Sequence, residues 1–200
     1  MMKYFSQLVT KFKTVNSTMG FTMIELLIVI AVLGILAVAV LSAINPIEQI
    51  NRGKDTGSRS DAEQALSSID RFYATQGYYP WQTGASDNAH EALTWTSIGT
   101  VADTAPTPET MLNKLSSGGT AEIKSSYVSR ITSPTYNTLY VYNRGTQGDS
   151  TYVCFQPKSG AFAEEAATRC VDAAGSGMPT DLQPIAATLC VATDEYICLP

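Results

Sequence analysis

The chain has 200 residues, a mass of 21.5 kDa and a formal net charge of −5, which allows one modest domain with appendages. Its 13 cationic and 18 acidic side chains argue against broad nucleic-acid binding, because that function needs lysines and arginines to displace counterions from phosphates. The mean hydropathy is close to zero (+0.01), yet the apolar residues are concentrated in one block near the N-terminus.

The apolar block predicts a membrane-spanning helix. From Phe21 to Ile44 the only polar side chains are Thr22, Glu25 and Ser42. At about 1.5 Å per residue this segment forms a helix of roughly 36 Å, which exceeds the roughly 30 Å hydrocarbon core of a bilayer. It is longer than the apolar core of a signal peptide, about 7–15 residues, and no Ala-x-Ala-like cleavage site follows it. We therefore expect the segment to stay in the mature protein.

The carboxylate of Glu25 is tolerated in this helix. Fifteen Leu, Ile, Val and Phe residues each favour insertion by about 0.3–0.6 kcal/mol, whereas one central charge costs about 3 kcal/mol. Glu25 also lies near one end of the segment, where the cost is smaller. An ionisable side chain in a membrane segment indicates a function, so Glu25 is a candidate functional residue that needs a partner.

The residues on either side of the block predict its orientation. Lys3, Lys11 and Lys13 precede it with no acidic residue among them, which predicts a cytoplasmic N-terminus. The chain after Ile44 then faces the periplasm or the outside. Four cysteines lie in this exported part, where disulfides persist. They are Cys154, Cys170, Cys190 and Cys198.

The four cysteines allow three disulfide pairings. Pairing of neighbours, Cys154 with Cys170 and Cys190 with Cys198, is favoured because short loops close at lower entropic cost than long loops. Each bridge is expected to stabilise the fold by about 2–3 kcal/mol. A metal site is the rival interpretation, but the spacing contains no Cys-x-x-Cys pair and no histidine lies nearby. We therefore expect no metal and no cofactor.

Beyond the block, the pattern predicts a second helical stretch. Pro46 predicts a kink or local break, and Gly53 and Gly57 lower the helix propensity of the polar residues that follow. Apolar residues then return at three-and-four spacing and predict a buried helical face that ends at Gly77, with Pro80 preventing its resumption. We expect one long helix of about 80 Å with a weak middle. The residues of the predicted buried face are Ala62, Ala65, Leu66, Ile69, Phe72 and Tyr73.

The rest of the chain predicts a small antiparallel sheet. Residues 78–126 are loop-rich, with a short helix expected at 109–115. Residues 138–143 and 151–156 are rich in β-branched and aromatic side chains and predict an antiparallel hairpin. The fold class is therefore α+β, with the exported half of the helix packed on the sheet. A third strand is expected near 188–191 or 196–199.

The stretch GFTMIE, residues 20–25, resembles the type III signal sequence of type IV pilins and type II secretion pseudopilins. In that family a glycine precedes the cleaved bond, the new first residue is usually phenylalanine, and a glutamate lies five residues past the glycine. Gly20, Phe21 and Glu25 fit this spacing, as does the basic leader. The stretch from Gly77 to Pro80 is similar to the helix exit that is common among pseudopilins.

The resemblance implies a maturation step. A prepilin peptidase would cleave after Gly20 on the cytoplasmic side and methylate the amine of Phe21. A glycine suits this place because a residue without a side chain lets the scissile bond lie flat in a protease cleft. The implied parts are a leader (1–20), a transmembrane and polymerisation half-helix (21–45), an exported half-helix (46–77) and a globular head (78–200).

The resemblance also implies a role for Glu25. Cleavage creates a positive amine at Phe21 near the same membrane depth, and Glu25 of one subunit would neutralise the amine of a neighbour. The alternatives are a carboxylate that reaches the membrane surface or binds its own chain's amine. Many family members carry a proline within the apolar half, whereas here the proline is Pro46. Gly53 and Gly57 would serve the same helix-melting role, or they only reflect solvent exposure.

These observations predict a structural subunit of a helical, homo-oligomeric filament, not an enzyme. The implied partners are the prepilin peptidase, an inner-membrane assembly platform and a cytoplasmic ATPase. The chain would lie in the inner membrane before assembly and in an extracellular or periplasmic filament afterwards. Two alternatives stay open, a pseudopilin of a secretion or competence system and a single-pass anchored binding module. His90 is expected in an exposed loop, and calcium binding by the acids of 144–149 and 194–195 is a minor alternative.

Overall fold

The computed structural model describes residues 20–117, 121–146, 148–171, 175–191 and 194–200. Apart from Gly20, the predicted leader lies outside these residues. The chain divides into two compact units, one that ends at Asn45 and one from Pro46 to Pro200. Helices and an antiparallel sheet are both present, which confirms the α+β class.

The first unit contains one described helix, α1, from Met23 to Ala43. The helix ends where Ile44 adopts extended backbone angles of φ −99° and ψ 130°. Pro46 is the first residue of the next helix, α2, a position where its fixed φ is compatible with the helix and its missing N–H is not needed. The predicted break at Pro46 is confirmed, so two helices replace the single long helix.

Helix α2, Pro46–Gln76, buries most of the predicted face. Ala62, Ala65, Ile69 and Phe72 are all at most 4% exposed, because their three-and-four spacing places them on one side of the helix. The prediction is wrong for Tyr73, which is 46% exposed. Its ring lies at the surface, where it stacks on another tyrosine 4.5 Å away.

The end of α2 follows its sequence signal. Gly77 has φ +76°, a left-handed conformation that glycine adopts without a steric cost. Its N–H donates to the carbonyl of Tyr73 at 2.8 Å, which satisfies one of the carbonyls left open at a helix end. The predicted stop at Gly77 is confirmed. Gly53 and Gly57, which were expected to weaken the middle, lie within α2.

A buried carboxylate on α2 caps another helix. Asp55 is fully buried and accepts hydrogen bonds from the N–H of Lys158 at 3.0 Å and from the N–H and hydroxyl of Ser159 at 2.7 Å. Glu48 accepts a further bond from the N–H of Gly160 at 3.2 Å. These donors lie at the start of α5, Gly160–Arg169, so α2 satisfies backbone groups that a helix start leaves open.

A second buried carboxylate, Asp61, joins α2 to helix α4, Ser125–Ile131. Its side chain accepts hydrogen bonds from Arg130 and from the hydroxyl of Tyr136, while its carbonyl accepts from the hydroxyl of Tyr127 at 2.5 Å. Burial and the nearby charge of Asp61 raise the pKa of both tyrosines. Both phenols therefore stay neutral donors.

The second unit is built on a four-stranded antiparallel sheet. The strands of the second unit are Leu93–Ser97 (β1), Leu139–Asn143 (β2), Tyr152–Phe155 (β3), Cys190–Val191 (β4), Asp194–Glu195 (β5) and Ile197–Leu199 (β6). The sheet has the order β1-β2-β3-β6, which confirms the predicted hairpin of β2 and β3. Of the two places expected for a further strand, 196–199 contains β6. The other, 188–191, contains β4, which pairs with β5 in a separate two-stranded ribbon.

Strand alternation gives the sheet two buried faces. One face joins the core formed with α2, and the other is covered by the C-terminal segment, so the second unit has three layers. The residues on the α2 side are Leu139, Val141, Val153, Phe155 and Ile197. The opposite core contains Tyr142, Tyr152, Cys154 and Cys198 from the strands, with Met178, Leu182 and Leu189 packed over them.

The predicted disulfide pairing is wrong. The structure joins Cys154 to Cys198 and Cys170 to Cys190. Cys154 and Cys198 are directly opposite on β3 and β6, with a Cα–Cα distance of 4.0 Å. Sheet register therefore determines this pair, and it outweighs the entropic advantage of short loops. The Cα atoms of Cys170 and Cys190 lie 5.4 Å apart.

Several elements lie where the sequence pattern predicted no helix or strand. Strand β1, which pairs with β2, is one of them. Helices α4 and α5 are others, and their sequences show no clear apolar periodicity. The short helix expected at 109–115 is present as α3, Met111–Ser116. It begins two residues later than expected because Thr110 is its N-cap, whose hydroxyl accepts the N–H of Asn113 at 3.3 Å. The last short helix, α6, spans Ala186–Leu189.

Candidate processing and assembly site

Gly20 and Phe21 precede α1 and are exposed, Phe21 by 82%. A Cβ atom built at Gly20 meets nothing within 4 Å in the described part of the chain, and the φ of this residue is not in the left-handed region. Within the described residues, neither packing nor backbone strain demands glycine at position 20.

Thr22 and Glu25 form a reciprocal cap at the start of α1. The N–H of Glu25 donates to the hydroxyl oxygen of Thr22 at 3.2 Å, and the N–H of Thr22 donates to Oε2 of Glu25 at 2.9 Å. The hydroxyl of Thr22 also donates to Oε2 at 2.7 Å. Two backbone donors of the first turn are thereby satisfied. The carboxylate also lies at the positive end of the helix dipole, which favours it.

The cap uses one oxygen of the Glu25 carboxylate. Both hydrogen bonds from Thr22 end on Oε2, and Oε1 accepts none from residues 20–200 as far as they are described. An ionised carboxylate has about four acceptor positions. Glu25 therefore helps to start its own helix and still has capacity for a cationic partner.

Helix α1 exposes an apolar surface on every side. None of its residues is buried, and even in its middle Leu33 is 58% exposed. It is the one helix in the described ranges that is long and apolar enough to cross a membrane, with a mean hydropathy of 3.1. A helix that is apolar all round requires lipid or other helices around it.

Comparison with known protein families matches residues 20–41 to the prokaryotic N-terminal methylation motif. The chain carries the type IV pilin and pseudopilin signal motif. This signal motif marks structural proteins of the pilin family, which are not enzymes, and it implies filament assembly and prepilin peptidase processing in general. It supports a type IV pilin-like or pseudopilin protein anchored in the inner membrane. No curated protein and no solved structure matches the chain.

The signal motif contains a residue whose structural role the sequence reasoning missed. In composition, Thr22 is only one of the few polar residues in an apolar block. The pattern Thr-x-x-Glu before an apolar run is itself a helix-start signature, so Thr22 and Glu25 were readable as a cap. The structure places both at the first turn of α1.

The single histidine pairs with a loop carboxylate. His90 ends a short 3₁₀ turn, Asn88–His90, and is exposed as predicted; its Nδ1 lies 2.6 Å from Oδ1 of Asp87. Hydrogen bonds from the backbone of Thr83 and from His90 lower the pKa of Asp87 to about 2. Among the described residues no group of three or more His, Cys, Asp or Glu side chains is arranged to hold a metal ion.

Proposed function

We propose that this chain is a prepilin, a structural subunit of a type IV pilus or pilus-like filament. It is cleaved after Gly20, methylated on the amine of Phe21 and assembled through its N-terminal helix. One observation supports this most directly: the signal motif matches at 20–41, and it stands at the start of a helix with no buried residue. The pseudopilus of a secretion or competence system is such a filament.

In this proposal the exposed surface of α1 is covered first by lipid and, after assembly, by other α1 helices. Before assembly, lipid surrounds the helix, whose 21 residues extend about 32 Å at 1.5 Å per residue. After assembly, the α1 helices of many copies pack together in the filament interior. Lipid chains are as apolar as leucine side chains, so apolar packing alone gives little preference for the filament. A directional interaction is then needed to set the position of each copy.

Glu25 supplies that interaction. Cleavage creates an ammonium group at Phe21, next to the residue that caps α1. Oε2 of Glu25 serves the cap, which leaves Oε1 for the ammonium of a neighbouring copy. A lone charge in a medium of low polarity is strongly destabilised, and an opposite charge at short distance offsets much of that cost. The charge pair therefore favours the assembled register over others.

The remaining assignments follow from the same proposal. The N-terminus is cytoplasmic, where the peptidase acts. An inner-membrane platform and a cytoplasmic ATPase drive extraction of the chain into the filament. Residues 46–77 are the exported half of the N-terminal helix region and residues 78–200 the head, which face the periplasm or the exterior once the chain is assembled.

Shearing of native cells tests the proposal. A filament subunit is expected to appear with its processed N-terminus in the sheared, sedimentable filament fraction, as well as in the inner membrane. An outer-surface pilus and a pseudopilus are separated by immuno-electron microscopy of intact and envelope-permeabilised cells. A chain found only in the membrane fraction, with no surface or periplasmic filament labelled by the antibody under conditions in which the host assembles filaments, would contradict the proposal and favour an anchored binding module.

A further inference from the structure

Three aromatic rings of the second unit stack into a column. The rings of Tyr73 and Tyr79 lie 4.5 Å apart, and those of Tyr79 and Trp81 lie 4.5 Å apart at an angle of 5°. The inner end of the column is fixed, because Trp81 is 3% exposed and its Nε1–H donates to the carbonyl of Glu91 at 3.1 Å. The outer ring, Tyr73, is 46% exposed. The column therefore presents one rigid ring to solvent.

A cavity of about 300 Å³ lies beside the outer end of this column. Its far wall is the loop after β2, which rests directly on the chain next to Glu91. Gly145 makes this contact possible: its φ is +78°, and a Cβ atom there would come within 2.5 Å of the backbone nitrogen of Ala92. Its N–H donates to Oδ1 of the buried Asn143 at 2.7 Å. The lining residues used below are Tyr73, Tyr79, Glu91 and Asp149.

Two acidic residues line the cavity, and their carboxylates differ in their partners. Asp149 is held by two hydrogen bonds of 2.7 Å from the guanidinium of Arg144, and these bonds lower the pKa of Asp149. It is therefore a fixed, ionised acceptor. The side chain of Glu91 has no hydrogen-bond or ion-pair partner in the part of the chain that the structure describes, although its backbone carbonyl is bound by Trp81. Its acceptor capacity is free.

We propose that this cavity binds one pyranose ring of a saccharide. A pyranose has a face of C–H groups and an edge of hydroxyl groups. The C–H face matches the exposed ring of Tyr73, whose π face is electron-rich, and the hydroxyls donate to Glu91 and Asp149, which are acceptors only. A volume of about 300 Å³ lies at the small end of ligand pockets, which fits a single ring.

The arrangement matches an organic ammonium less well. Ammonium sites enclose the cation with several aromatic faces, whereas here the rings form a column with one free face. Arg144 also neutralises Asp149, so Glu91 alone is left as an uncompensated charge. The saccharide site is independent of the proposed assembly function and concerns what the head contacts.

Saturation-transfer NMR on the full-length protein tests the site. The protein is kept in a polyoxyethylene ether detergent, because sugar-headed detergents would compete for the cavity. Glucose, galactose and N-acetylglucosamine are the probes, each at millimolar concentrations. At least one is expected to bind saturably, with the strongest transfer to the protons of one ring face.

Substitutions at the column separate binding from folding. Tyr73→Ala is expected to weaken binding about tenfold, since it removes the ring against which the sugar packs. Tyr73→Phe keeps the ring and is expected to bind as the wild type does. Glu91→Gln keeps an acceptor and is expected to lose about fivefold. The matched control is Tyr140→Ala, which removes a ring from a separate stack on Trp95 and should leave the affinity unchanged. Thermal unfolding verifies that each variant is folded.

Three results would overturn the saccharide site. The first is the absence of saturable binding for all three sugars by folded wild-type protein. The second is an unchanged affinity in folded Tyr73→Ala. The third is binding of choline that requires Tyr73, is abolished by Glu91→Gln and displaces the sugars, which would assign the cavity to an organic ammonium.

Discussion

Glu25→Gln is expected to stop filament assembly while membrane insertion and cleavage after Gly20 continue. Glutamine retains a side-chain oxygen that accepts the N–H of Thr22, and a capping box tolerates either Glu or Gln. The start of α1 is therefore kept. The negative charge is lost, so the ammonium of Phe21 on a neighbouring copy has no counter-ion in the filament interior. The amount of chain in sheared filaments, divided by the amount in the membrane, measures the effect.

Thr22→Val is the matched control, because it removes the hydroxyl half of the cap and keeps the charge of Glu25. The loss of the hydroxyl that accepts the N–H of Glu25 is expected to cost about 1 kcal/mol at the helix start. Filaments should still form. Glu25→Ala removes the charge and the carboxylate half of the cap, while its backbone N–H can still donate to Thr22; it should resemble Glu25→Gln and not Thr22→Val. Wild-type filament yield from Glu25→Gln would reject the charge pair as the basis of assembly.

Removal of either disulfide is expected to destabilise the second unit strongly. The bridge Cys154–Cys198 closes a loop with a sequence separation of 44 and Cys170–Cys190 one of 20. The loop-entropy relation gives losses of about 4 and about 3 kcal/mol respectively in the free energy of unfolding. Two paired variants, Cys154→Ala with Cys198→Ala and Cys170→Ala with Cys190→Ala, are compared with the oxidised wild type by denaturant unfolding.

Peptide mapping distinguishes the disulfide pairings. Peptide mapping without reduction is expected to recover the peptides of Cys154 and Cys198 joined to each other. Recovery of Cys154 joined to Cys170 would restore the pairing favoured by loop length. Unfolding free energies that are equal to the wild-type value in both paired variants would show that the bridges add no stability.

The sequence was sufficient to predict the elements that are determined by residues close together in the chain. The apolar block, the break at Pro46, the stop at Gly77 and the hairpin of β2 and β3 all follow from residues that lie close together in the chain. Each has its own steric or hydrophobic cause, so the sequence pattern and the structure agree. The signal motif, Gly20 to Glu25, can also be identified from consecutive residues.

Other features depend on residues that are far apart in the chain. Helix α5 begins where Asp55 and Glu48 accept its first N–H groups from more than 100 residues away, and no local signal marks that start. The bridge from Cys154 to Cys198 follows from the pairing of β3 with β6, which loop entropy cannot anticipate. Strand β1 likewise depends on its partner β2.

The two candidate sites differ in whether their residues are adjacent in the sequence or are brought together by the fold. The processing and assembly site is contained in six consecutive residues, 20–25, and the sequence identified three of them. The cavity beside Tyr73 is lined by the end of α2, the chain before β1 and the loop after β2. Tyr73 was predicted to be buried because its spacing fits the apolar face of α2. In the structure it lies at the surface and its ring stacks on Tyr79.

The mass of the N-terminal peptide of protein purified from its native host tests the proposed processing most directly. We expect a chain that begins at Phe21 and carries one methyl group on its amine, since cleavage is the step that creates the cation for Glu25. A chain that begins at Met1, with no shortened form in filaments or membrane, would contradict it.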